Sequence, residues 1–317
     1  MLEKLQLPIM RLSNSVDDYL KKYGGYLVND NVKNGMDIEV KYTHQFGNDR
    51  SGDVAELADT HSDVPTDTNP HVELSAAFCQ ILWLMLYYAL NHIDKEIIAK
   101  QCEIKNPDKK HQLRQIISSG ELSAMPGINK EEKAMLNYMR NVLNSDDGHI
   151  LSTVENFLPR LKNGHLSYRE MLELHCEFPM NDVYDLMVNG AYSFGVVFIL
   201  FHEHGHYSNE NSLSKAEIRN NAMVLEYSAD IVAMLNAIES TDEHSRELKS
   251  FCIGAIGAIL CSRWIGSDIP DDGIHPDEFD RLDKIVGEVE RSGKLNDEEM
   301  AKLHHVLEQW KLLFASL

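Results

Sequence analysis

His202, Glu203, His204 and His206 crowd into five positions at the end of a long apolar run. Burying imidazole and carboxylate groups is expensive unless each finds a partner. His202, Glu203 and His206 spell H-E-x-x-H. On a helix, residues four apart differ by only about 40° in direction, so both rings leave one face a turn apart. Two imidazoles placed this way can reach a single zinc ion. Glu203, about 100° round the helix from His202, lies beside such an ion without ligating it. There it can take a proton from water. Val196, Val197, Ile199 and Leu200 then read as the anchor that holds the helix in a dry core.

A metal site of this kind needs a third ligand. Twenty positions after His206 comes Glu226, followed four residues later by Asp230. This spacing lets the chain turn and return as an antiparallel helix with both carboxylates on one face. Ser214 and Glu217 form a capping box that starts this helix. Glu226 is the candidate third ligand. Asp230 is the candidate acceptor for the free N–H of His202 or of His206, which fixes its tautomer. Ala229 allows the two helices to approach closely. Taken alone, the pair also fits an ordinary charged stripe on an amphipathic helix.

Further along, His275-Pro276 and Arg281 sit at and just after a helix start. His275 or Arg281 is a candidate oxyanion donor for a polarised carbonyl. A helix cap with a surface arginine explains the same residues equally well. His204 points away from the His202/His206 face and is set aside, as are His304 and His305 on the last helix. Asn209 and Ser212 stand where an extended H-E-x-x-H-x-x-G-x-x-H motif requires Gly and His.

These residues need helices to position them, and most of the chain reads as helical. Expected helices cover about 75–98, 110–119, 129–145, 150–161, 167–176, 181–208, 215–240, 246–265, 276–291 and 297–315. Asn296 and Glu299 form a second capping box, and Pro276 fits a first helical position. Near the N-terminus, Asn34-Gly35 signals a hairpin between YLVND and MDIEVKYT. Residues 44–69 read as a long acidic loop or a disordered insert. His71–Leu74 reads as a short strand with an edge for an extended substrate. The expected class is mainly α (α+β), with a small N-terminal β element. Residues 1–70 form a mixed segment, and 71–317 a helical domain whose metal-binding core spans about 181–291.

With 30 basic and 50 acidic residues, the chain carries a net charge of −20. So acidic a surface argues against nucleic acid and anionic membranes as partners. The five cysteines form no C-x-x-C pair, which fits a reducing compartment. The first residues lack a basic-then-apolar leader. The apolar runs Leu74–Leu90 and Phe251–Cys261 read as buried helices rather than membrane spans. Together these features place the expected protein in the cytoplasm.

H-E-x-x-H followed at this distance by E-x-x-A-D, here Glu226 to Asp230, resembles the gluzincin metallopeptidases. The H-P-x-x-x-x-R element, His275-Pro276 to Arg281, looks like that of HtpX-type membrane proteases and some soluble relatives. Among soluble families the chain most resembles the Lit phage-exclusion peptidases, over roughly residues 190–281. The resemblance implies a helical zincin-like fold with Zn2+ on His202, His206 and Glu226. It further implies Glu203 as general base and Asp230 behind the ligands. It implies a protein substrate as well, in Lit-like enzymes a host translation elongation factor cleaved on phage infection. An ImmA/IrrE-like regulatory peptidase is a rival reading, although that group carries its motif earlier in the chain. A non-catalytic zinc-binding interaction protein is another, weakened because no cysteine lies among the candidate ligands.

Overall fold

A computed structural model describes residues 39–43, 58–60, 71–105, 110–121, 126–144, 183–210, 213–266 and 276–316, with isolated residues between 12 and 22 and between 152 and 160. Most of these residues are helical. The helices are α1 (Ala76–Lys105), α2 (Lys110–Ser119), α3 (Lys130–Asn144), α4 (Val183–Glu210), α5 (Lys215–Ser240), α6 (Arg246–Gly266), α7 (Glu278–Ser292) and α8 (Asp297–Ser316). The expected helix 167–176 lies outside the described residues, as does most of 150–161. α1 runs seven residues past its expected end at 98. Helix-competent residues continue to Lys105, and Pro107 disfavours the α conformation in the residue before it.

Three short strands, β1 (Glu39–Thr43), β2 (Ala58–Thr60) and β3 (His71–Ser75), pair in the order β1-β3-β2. β1 runs parallel to β3 and β2 antiparallel to it. β3 is thus flanked on both sides, which removes the free edge expected of His71–Leu74. β2 falls within the segment expected to be all loop, and the Asn34-Gly35 turn lies outside the described residues.

α4 is the central helix. Every residue from Ala191 to His202 is buried, as befits a core helix that is apolar all round. α5 and α6 pack along it most extensively, with α1 behind. α7 rests on α5 and α6, and α8 on α6 and α1. Phe78–Leu90 of α1 and all of Phe251–Cys261 in α6 except the half-buried Ile253 are buried in this core. No helix among the described residues is long and apolar enough to cross a membrane.

Glycine sets the closeness of α4 and α6. A Cβ on Gly254 would sit 2.4 Å from the Ala191 carbonyl oxygen and 2.5 Å from the Gly195 nitrogen. Both neighbours are backbone, so neither can swing away. Phe198 and Phe251 close the same interface edge to face, with ring centroids 6.2 Å apart.

Both expected capping boxes form. Ser214 accepts from Glu217 N, and Glu217 reaches back to Ser214 N at 2.8 Å. Asn296 and Glu299 make the reciprocal pair at 3.0 and 3.1 Å. α7 departs from expectation. Its cap is Asp277, whose carboxylate accepts from Phe279 N at 2.8 Å, so Pro276 precedes the helix instead of opening it. An acceptor at the N-cap satisfies an otherwise orphaned N–H, which proline cannot do.

Glu299 also joins helices, meeting Lys249 of α6 at 2.7 Å and His244 at 3.0 Å. Lys249, His244 and the Asn296 N–H lower its pKa from 4.5 to about 2.

Gly254→Ala should destabilise by about 1–3 kcal/mol or more, through overpacking against backbone. Gly190→Ala, whose Cβ meets nothing within 4 Å, should be neutral or stabilising by up to about 1 kcal/mol. Urea midpoints compare the two. A depressed folded pKa contributes stability above the unfolded value that is lost as pH falls through the folded one. Glu299→Gln should therefore flatten the acid-side loss of stability between pH 4.5 and about 2, read from melting temperature against pH.

Candidate metal centre

His202 and His206 project from the C-terminal half of α4, and Glu226 and Asp230 from α5. The two helices meet at Gly205 and Ala229. A Cβ on Gly205 would stand 2.9 Å from Ala229 Cα. Glycine inside H-E-x-x-H therefore lets the carboxylate helix come within ligand reach of the histidines. Ala229 was legible in the sequence as a close-approach residue, whereas Gly205 was not singled out.

Three side chains converge. The Nε2 atoms of His202 and His206 are 3.0 Å apart. Glu226 Oε2 lies 3.5 Å from His202 Nε2, and its Oε1 lies 3.3 Å from His206 Nε2. These three residues offer donor atoms all within 4.8 Å of one another, and they can hold a metal ion.

The opposite ring nitrogens face carboxylates. His206 Nδ1 is 2.8 Å from Glu210 Oε1. His202 Nδ1 is 2.9 Å from Asp230 Oδ1, close enough for an ion pair, but it does not form an aligned hydrogen bond. Each Nδ1 next to a carboxylate is best protonated, which leaves the lone pair on Nε2. Two nitrogen lone pairs and a carboxylate then point into one space. That arrangement repels itself unless a proton or a cation lies between them. Burial opposes charge on His206, yet the surrounding Glu226, Glu203 and Glu210 outweigh it and raise its pKa to about 9. Two nitrogens and one oxygen, with orienting carboxylates behind, suit a divalent metal.

Asp230 settles which histidine it serves: it faces His202, and Glu210 takes the corresponding place on His206. Sequence reasoning passed over Glu210. Its signal was the i, i+4 spacing from His206, the same spacing that joins the two ligands.

Arg281 is buried beneath Asp230, not at the surface. Its Nε donates to Asp230 Oδ2 at 2.7 Å and its Nη2 to Oδ1 at 2.8 Å. Nη2 also lies 3.7 Å from Glu226 Oε2. Burial alone would raise the Asp230 pKa, but the Arg281 guanidinium holds it below the usual range. Arg281 thus ties α7 to the carboxylate helix. His275, its expected companion, lies outside the described residues.

Glu203 is partly buried next to His202 and acts electrostatically on His206. His204 is buried, and burial lowers its pKa. His304 and His305 are exposed on α8. Asn209, one of the residues that exclude the longer motif, donates instead to Ser228 Oγ at 3.1 Å, pinning the end of α4 to α5.

Removing one partner of a buried bidentate pair strands the other charge. Arg281→Met should destabilise the metal-free protein by about 3–5 kcal/mol. Adding Asp230→Asn should restore part of that loss. Urea unfolding of the two single variants and the double variant measures the coupling.

Residues 72–301 match the family Peptidase U49. No curated protein and no solved structure matches the chain. The matched stretch starts in β3, ends in α8, and contains His202, His206, Glu226, Asp230 and Arg281. Covering well over half of the 317 residues, it shows that the chain belongs to the Peptidase U49 family.

Proposed function

We propose that the chain is a zinc-dependent endopeptidase that cleaves a protein substrate. The observation that carries this reading is the convergence of His202 Nε2, His206 Nε2 and the Glu226 carboxylate. Zn2+ is the metal of choice for two imidazoles and one carboxylate. Catalytic zinc sites use three protein ligands, whereas structural sites use four and often include cysteine. Cys79, Cys252 and Cys261 are free and buried in the core. When bound, the metal supplies Lewis acidity, polarising a scissile carbonyl and acidifying water.

The remaining roles belong to the chain. His202, His206 and Glu226 hold the ion. Glu203 accepts the proton of the water that attacks the carbonyl carbon. As the C–N bond breaks, Glu203 passes that proton to the departing amine. Asp230 orients His202, and Arg281 acts through Asp230 as a positioning residue. His275 keeps the proposed oxyanion role.

The finer reading is a Lit-like phage-exclusion peptidase of zincin-like fold, with a small β element before the helices and residues 181–291 as the catalytic unit. The host target is a translation elongation factor. The resemblance of H-E-x-x-H, E-x-x-A-D and H-P-x-x-x-x-R supports it, as does membership of a peptidase family. A cytoplasmic location accords with the acidic composition and the free cysteines.

Elemental analysis should find about one zinc per chain, lost in His206→Ala. Proteomics of expressing cells should show new protein fragments with wild type and not with Glu203→Gln. Removing the base should slow cleavage by about 10²–10⁴-fold. If Glu203→Gln keeps the full biological effect, a non-catalytic binding role replaces this reading.

A further inference from the structure

Glu210 is the last residue of α4, one turn beyond His206. A helix C-terminus carries partial negative charge, which disfavours a carboxylate there. No basic residue sits in the last turn of α4 to offset it. The Glu210 carboxylate instead turns back along the helix and meets His206 Nδ1 at 2.8 Å. Its side chain is 26% exposed, and that of the Asp230 carboxylate facing His202 is 1% exposed.

Local structure fixes where Glu210 stands. Leu213 N donates to the Glu210 carbonyl at 2.9 Å, which closes the turn after the helix. Asn209 holds the preceding position against Ser228. The next helix begins immediately at its Ser214–Glu217 box. The backbone at the end of α4 is therefore held by contacts that do not involve His206.

We infer that Glu210 is a positioning residue for the metal centre, keeping the His206 proton on Nδ1 and its Nε2 lone pair aimed at the ion. This rests on the reading of His202, His206 and Glu226 as metal ligands. Each imidazole then has its own orienting carboxylate. Asp230 faces His202 from the core, with Arg281 locking that carboxylate in place. Glu210 holds His206 from the helix end.

The test uses the full chain, stripped of metal and titrated with Zn2+ against a chelating dye and with Co2+ by visible absorption. Glu210→Ala should bind Zn2+ about 10–100-fold more weakly and shift the cobalt band. Its metal-free melting curve should match wild type. Glu210→Gln keeps an oxygen that accepts from Nδ1–H, and should retain affinity within about tenfold of wild type. Zn2+ affinity of Glu210→Ala within about twofold of wild type, with an unchanged cobalt band, overturns the inference and leaves the metal centre standing. Equal losses in both variants, accompanied by lower metal-free melting, also overturn it, because Glu210 would then be structural. A wild-type chain that binds neither ion removes the metal centre itself, and the inference with it.

Discussion

Two imidazole nitrogens lie 3.0 Å apart with a carboxylate within 3.5 Å of both, in a largely buried pocket. Neighbouring carboxylates face the other nitrogen of each ring, so both Nε2 atoms present lone pairs to the same point. In water such a cluster would fly apart or take up protons. Inside a protein the effective dielectric is lower and like charges repel more strongly. The surrounding structure must therefore force the cluster together, and a cation at its centre turns that repulsion into attraction.

The force comes from helix packing. α4 is buried all round through the turns leading to His202, so this histidine cannot retreat into solvent. The crossing of Gly205 and Ala229 brings α5 close enough for Glu226 to face both rings. Either residue with a larger side chain would separate the donors. Arg281 then offsets the charge of Asp230 and draws α7 onto α5. Without that guanidinium, Asp230 and Glu226 would add two carboxylates to an already electron-rich pocket.

Much of this was legible in the sequence, because helical periodicity and ligand spacing are the same arithmetic. Residues four apart share a face, so H-E-x-x-H and the Glu226/Asp230 pair could each be placed on a helix. Capping boxes depend on local hydrogen bonds, and Ser214–Glu217 and Asn296–Glu299 formed as read. What was hidden depends on contacts between distant segments. From the sequence Arg281 reads as a candidate oxyanion donor or as a surface arginine near a helix start, and its burial comes with Asp230, 51 positions away. Which histidine Asp230 serves depends on how α5 is rotated against α4, and no local pattern encodes that rotation. The cap of α7 moved to Asp277 because proline and aspartate compete at adjacent positions, and only the aspartate can accept a hydrogen bond. The pairing of β3 on both sides depends on strands far apart in sequence.

The site is spread over elements that could separate. α4 supplies two donors and one orienting carboxylate, α5 a donor and the other orienting carboxylate, and α7 the cation that locks it. An ion bound by α4 and α5 together favours the packed arrangement over any in which they part. The converse holds with the same free energy: whatever loosens α5 from α4, or α7 from α5, would weaken the hold on such an ion. His202 is tied to the interior through Asp230 and Arg281, whereas His206 is tied to a helix end and the turn beyond it. Of the two imidazoles, His206 is therefore the one whose aim responds first when that turn is disturbed.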